Sequence, residues 1–139
     1  MLHRLTPVLL LFLILFFVAG CSATAMRDIG LDKLAPRKAD QELNAGISNY
    51  NKGNYHTAAR EFHYSLKRGL TFQSDKVSAH KYLAFIYCVT ERTQLCGDEF
   101  KKAMVLDPHF ELSPAEAGHP IWGPVYRRVR KEMSYERRK

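Results

Sequence analysis

The sequence predicts an all-α fold, built as two helical hairpins in tandem and closed by a C-terminal capping helix. Three observations carry this. Beyond residue 20, charged and apolar residues interleave at helical rather than strand spacing. Residues 83–108, LAFIYCVTERTQLCGDEFKKAMVLDP, read as two helices joined by a short turn, and residues 46–66, GISNYNKGNYHTAAREFHYSL, repeat that layout in a weaker form. Near the end, Val125, Val129 and Met133 stripe one face of a helix whose other faces carry arginine. The chain has 139 residues. Once its N-terminal segment is set aside, about a hundred remain, enough for one small domain.

The N-terminal segment is read first. After His3 and Arg4, residues 8–18 form an unbroken apolar run, VLLLFLILFFV. That is short of the roughly 20 residues that span a bilayer as a helix, and it matches the apolar core of an export signal. The run ends in Val18-Ala19-Gly20-Cys21, which resembles the lipobox of bacterial lipoproteins. The resemblance implies cleavage before Cys21 and acylation of its thiol, palmitate being a usual chain. With Ser22 rather than Asp beside it, it also implies sorting to the outer membrane, facing the periplasm. Each buried acyl methylene contributes roughly 0.8 kcal/mol, so several chains make an effectively permanent anchor. The alternative is an ordinary cleavable signal with a chance cysteine. Residues 1–20 are thus read as a lipoprotein signal peptide, 21–39 as a lipidated N-terminus and tether, and 40–139 as the helical domain. The tether, with Gly30 and Pro36, reads as a leash; Ile29, Leu31 and Leu34 allow one short helix as the alternative.

In the first hairpin, Gly46, the turn Gly53-Asn54-Tyr55, then Ala58 and Phe62 follow a spacing that resembles the tetratricopeptide repeat, a helical pair of about 34 residues. The steric logic is that helices approach closely only where side chains are small, and an aromatic one turn later sets their crossing. On that pattern Gly46 faces Ala58. Leu83, Ala84 and Tyr87 take the first-helix positions of the second copy, with Cys96, Phe100, Ala103 and Pro108 on its second helix. Departures are Glu42 where a large aromatic belongs, Ala45 where Leu is usual and Asn49 where Tyr is usual. Arg68-Gly69 stops the first copy, and Ser74 is the expected N-cap of the next helix. In this family the first helix of each pair lines a concave face that holds other proteins. The resemblance therefore implies a partner groove of Leu43, Ile47 and Tyr50 from the first copy and Lys81, Tyr82, Phe85 and Val89 from the second. The protein's own tether or C-terminal helix is the alternative occupant, since two repeats are fewer than a free-standing array needs.

An exported chain meets an oxidising compartment, so Cys88 and Cys96, on opposite arms of the second hairpin, are expected to pair as a structural disulfide. Two buried thiols are the alternative. Further on, Ser113, Pro114 and Glu116 spell a helix start with a capping box. Trp122, flanked by Pro120 and Pro124, is placed to plug the end of the stack. Formal charge is +7, and +6 without Arg4, the only charge in the first twenty residues. Residues 127–139 hold seven basic side chains against Glu132 and Glu136, a local +5. Arg127, Arg128, Arg130 and Lys131 make a basic face, either simply solvated or attached to anionic headgroups or an acidic partner.

No motif for catalysis, for a cofactor or for a phosphate loop occurs, and the histidines are scattered; His80 stands at a core position. We expect no enzyme, no cofactor, no metal and no small-molecule substrate, and the export signal argues against nucleic acid. The combination of lipobox, short repeat array, paired cysteines and the HPIWGPVYRR ending resembles the small TssQ-type lipoproteins that accompany type VI secretion systems. The implied role is a membrane-anchored periplasmic adaptor in an envelope complex. The alternatives are a pilotin-like escort of a secretin or pilus component, and an accessory factor of a peptidoglycan enzyme.

Overall fold

Six helices form among the described residues: α1 (Lys38–Asn51), α2 (Tyr55–Arg68), α3 (Gln73–Val89), α4 (Thr93–Leu106), the single turn α5 (Pro114–Ala117) and α6 (Gly123–Glu136). The computed structural model describes residues 37–138; the signal segment, Cys21 and the tether up to residue 36 lie outside them. Helices α1 and α2 form one hairpin and α3 and α4 another. The hairpins meet through α3, which packs on both α1 and α2, while α6 covers α4 and α5 rests on α6. The all-α hairpin architecture is therefore the one the sequence predicts.

Lys38 and Ala39, assigned by sequence to the tether, form the first turn of α1, because Ala39 is buried with Leu43 and Gly46 on the face that meets α2. A methyl group at Gly46 would lie 2.7 Å from the Phe62 ring, so glycine there admits Phe62, and Ala58 is wholly buried. The chain leaves α2 through Gly69 at φ +87°, a left-handed conformation that costs glycine little.

Helix α3 starts at Gln73, ahead of the expected cap at Ser74, with Phe72 in extended conformation at the N-cap. The Gln73 side-chain amide donates to the Leu106 carbonyl and ties the start of α3 to the end of α4. From Leu83 through Cys88 every α3 residue is buried, the signature of a helix enclosed on all sides. On α4, Cys96, Phe100 and Ala103 are wholly buried against it. The turn between the two helices places Glu91 at φ 61°.

The capping box forms as the sequence predicts. The Glu116 N–H donates to Ser113 Oγ at 3.3 Å, and the Ser113 N–H donates to the Glu116 carboxylate at 3.0 Å. On α6 the predicted stripe Val125, Val129 and Met133 is buried, and Tyr126, which that stripe left out, is more buried than any of the three. Its hydroxyl accepts the Leu112 N–H at 3.2 Å, fixing the loop before α5 to α6.

Candidate partner-binding face

The aromatic residues of α1 and α3 form one connected row. Tyr50 on α1 meets Tyr82 on α3 edge to face, with ring centroids 4.9 Å apart, and leans on Tyr55 at 5.6 Å. Tyr82 stacks on Phe62 at 5.4 Å, and Phe85 stacks on Trp122 at 4.4 Å. His119 in turn stacks flat on the outer side of Trp122 at 3.3 Å. Offset and edge-to-face contacts of this kind add about 0.5–1.5 kcal/mol each beyond simple burial. Burial with Tyr55, Tyr82 and Glu116 nearby pushes the Tyr50 phenol up to about 12.

The seven residues expected to line the groove separate into two sets. Leu43 and Phe85 are core residues, 6% and 2% exposed, which corrects the expectation that they face a partner. Leu43 is covered by the α1–α2 contact, and Phe85 lies beneath Trp122, delivered from the α5–α6 turn. Lys81 is already engaged: its ammonium donates to Glu116 at 2.7 Å and sits over the Tyr82 and Phe85 rings at 5.1 and 5.6 Å. Glu116 also accepts from Ser113, and the Trp122 indole N–H donates to the Glu116 carbonyl at 2.8 Å. Burial alone would raise the Glu116 carboxyl, but the bonds from Lys81 and Ser113 outweigh it and the net shift is downward. One capping glutamate thus locks residues 113–122 over the Phe85 end of the face. Ile47, Tyr50, Tyr82 and Val89 remain half-buried.

The cysteines meet as predicted. Cys88 closes α3 and Cys96 sits in the first turns of α4, with Cα atoms 5.2 Å apart and sulfurs at the disulfide distance of 2.09 Å. A loop this short, with a sequence separation of 8, gives by chain entropy a stabilisation of about 2–3 kcal/mol. Reduction, or the Cys88→Ala/Cys96→Ala pair, is expected to lower the urea midpoint accordingly without changing far-UV circular dichroism. An unchanged midpoint would show that the bridge adds nothing.

Sequence reading missed a polar layer joining α2, α3 and α4. Buried Glu99 accepts from His80 Nδ1 at 2.6 Å and from Lys102 at 2.6 Å, and His63 Nε2 meets the Tyr87 hydroxyl at 2.8 Å. His80 thus holds its core position as a hydrogen-bond partner of Glu99. Burial lowers the His63 value below 6.5, with the Glu99 charge opposing. For Glu99, burial pulls upward, but the bonds from His80 and Lys102 bring the net value below 4.5. Both groups have lower folded than unfolded values, so each contributes stability above its unfolded value and loses it as pH falls through its folded value. Acid is thus expected to weaken the fold in two stages, one below about pH 6.5 from His63 and one below about 4.5 from Glu99. His63→Gln should flatten the first stage only, as read by thermal melts across pH. Among the described residues, no three His, Cys, Asp or Glu side chains gather to hold a metal ion.

The arginines of the basic face also make contacts within the fold. Arg127 donates to the Ala117 carbonyl at 2.9 Å, Arg130 pairs with Glu111, Arg128 lies 3.9 Å from Glu132, and Arg137 donates to the Pro108 carbonyl. The bonds to Ala117, Glu111 and Pro108 tie the end of α5 and the loop before it to α6, and all four residues of the expected face, Lys131 included, stay exposed. No helix among the described residues is long and apolar enough to cross a membrane. Compared with known protein families, with curated proteins and with solved structures, the chain finds no match in any of the three.

Proposed function

We propose that this chain is a lipid-anchored adaptor of the bacterial envelope, held through Cys21 in the outer membrane, whose periplasmic hairpins are of the tetratricopeptide type and bind protein partners. The observation that carries the reading is the Tyr50–Tyr82 pair on adjoining helices, half-exposed and flanked by Ile47. Rigid aromatic side chains of this kind offer contact area at low entropic cost. The contact surface is then smaller than the sequence implied: Ile47, Tyr50, Tyr82 and Val89, with Phe85 held back as core. The resemblance to TssQ-type lipoproteins points to type VI secretion as the complex served.

The test places a photo-crosslinking amino acid at Ile47, at Tyr82 and, as a control, at Arg60 on the exposed side of α2. Cross-links from the first two positions and not the third are expected in intact cells. Sheath or baseplate components among the products support the secretion reading. A secretin would redirect it to a pilotin role, and murein enzymes to a peptidoglycan role. Silence from Ile47 and Tyr82, or equal products from Arg60, overturns the face. Cys21→Ser should release the chain into the soluble periplasmic fraction under a high-salt wash, and retention through that wash would refute the anchor.

A further inference from the structure

Where α1 begins and α2 ends, a cleft of about 380 Å³ is lined by Arg37, Lys38, Ala39, Arg68 and Gly69. Three of its five lining residues are cationic and none is acidic. The carboxylates nearby sit behind it and hold two of the cations by their inner nitrogens. Glu42, only 5% exposed, accepts from Arg68 Nε at 2.7 Å, and Asp40 lies 3.7 Å from Arg37 Nε. Arg37 and Arg68 remain about half exposed even so. On α6, Arg127 and Arg137 donate instead to backbone carbonyls, while Arg128 and Arg130 pair with acids and are as exposed as the two cleft arginines. Glu42 accordingly has a use where the repeat pattern would place an aromatic: it fixes a guanidinium at the rim of the cleft.

A guanidinium fork anchored from behind and open at its outer edge is the geometry that binds phosphate oxygens in pairs. The position selects the source of the phosphate. Arg37 follows Cys21 by sixteen residues (37 − 21), a chain that spans at most about 55 Å at full extension. The cleft is therefore at the end of the domain where the anchored chain enters. We propose that this cleft is a contact site for the phosphates of anionic lipid headgroups, and that it holds the α1–α2 end of the domain against the membrane surface. The proposal rests on the anchor reading above for its biological setting, but its test does not need the anchor.

The mature chain carrying Cys21→Ser is floated with vesicles of phosphatidylcholine alone or of phosphatidylcholine mixed with phosphatidylglycerol. Binding is expected to the mixed vesicles only, and to fall with salt. Arg37→Gln/Lys38→Gln removes two exposed charges from the cleft without disturbing a buried partner. At about fivefold per basic residue near an anionic surface, it should lower vesicle partition by about 25-fold. Arg127→Gln/Arg128→Gln should leave it within about twofold on the same scale. The proposal is overturned if the folded Arg37→Gln/Lys38→Gln protein binds undiminished, if the α6 variant loses as much, or if vesicles of phosphatidylcholine alone bind the protein as well as the mixed ones. A high-salt wash strips cleft binding but not a lipid anchor, so after it the parent chain stays on the membrane and Cys21→Ser is released, and either idea can fail alone.

Discussion

Phe62→Ala is expected to destabilise the domain by about 3–5 kcal/mol, a large part of the 5–15 kcal/mol that holds a typical domain folded. The ring is wholly buried and joins three helices: it belongs to α2, fills the space left open by Gly46 on α1, and stacks on Tyr82 of α3. Its removal leaves a cavity that α1 cannot fill by closing in, because Gly46 contributes no side chain to the gap. The complementary change is Gly46→Ala. Its methyl would meet the ring at 2.7 Å, and overpacking of this sort costs about 1–3 kcal/mol, offset in part by the better helix propensity of alanine. A double-mutant cycle with Phe62→Leu checks the coupling by urea unfolding. The two changes together should cost less than the sum of their separate effects, and strict additivity would mean that the glycine and the ring are independent. Because Tyr82 loses its stacking partner, Phe62→Ala should also reduce cross-linking from Tyr82 at temperatures where the domain is still folded.

How far the sequence carried the fold follows from the range over which each feature is written. Local features were legible. Ser113 and Glu116 cap a helix within four residues, Gly69 ends one, and Cys88 and Cys96 sit on the two sides of a single turn. Features that need a distant partner were not. Nothing about Glu42 announces Arg68, nor His80 announces Glu99, since those pairs are 26 and 19 residues apart and arise only once the helices are packed. The candidate face failed in the same way. Phe85 has the spacing of a concave residue, but the segment that covers it comes from beyond α4 and carries no periodicity that ties it to α3. Tyr126 was within reach, because Tyr126, Val129 and Met133 make as regular a helical stripe as the one starting from Val125.

Trp122→Ala should cost about 3–5 kcal/mol and should also change the shape of the candidate face. The indole is held by three independent contacts: Phe85 beneath it at 4.4 Å, His119 above it at 3.3 Å, and the Glu116 carbonyl, which accepts its N–H at 2.8 Å. It is the only tryptophan in the chain, so its emission reports on this one site. Trp122→Phe separates the contributions, keeping a ring on Phe85 while deleting a hydrogen bond worth about 1 kcal/mol. With alanine, Phe85 loses its cover and Glu116 loses one of the groups that hold it over Lys81, so residues 113–122 should exchange their amide hydrogens faster than α3 and α4. If this segment is a fixed wall of the fold, the faster exchange will track the global loss of stability and reach every helix alike. If it is a separable cover, exchange will rise in residues 113–122 by more than the global loss of stability explains, and a cross-linker at Phe85, silent in the parent protein, will begin to capture what Ile47 and Tyr82 capture. The second outcome is the one the contacts favour, because Lys81–Glu116 and Trp122–Phe85 hold this segment to α3, whereas α3 itself is held by α1, α2 and α4.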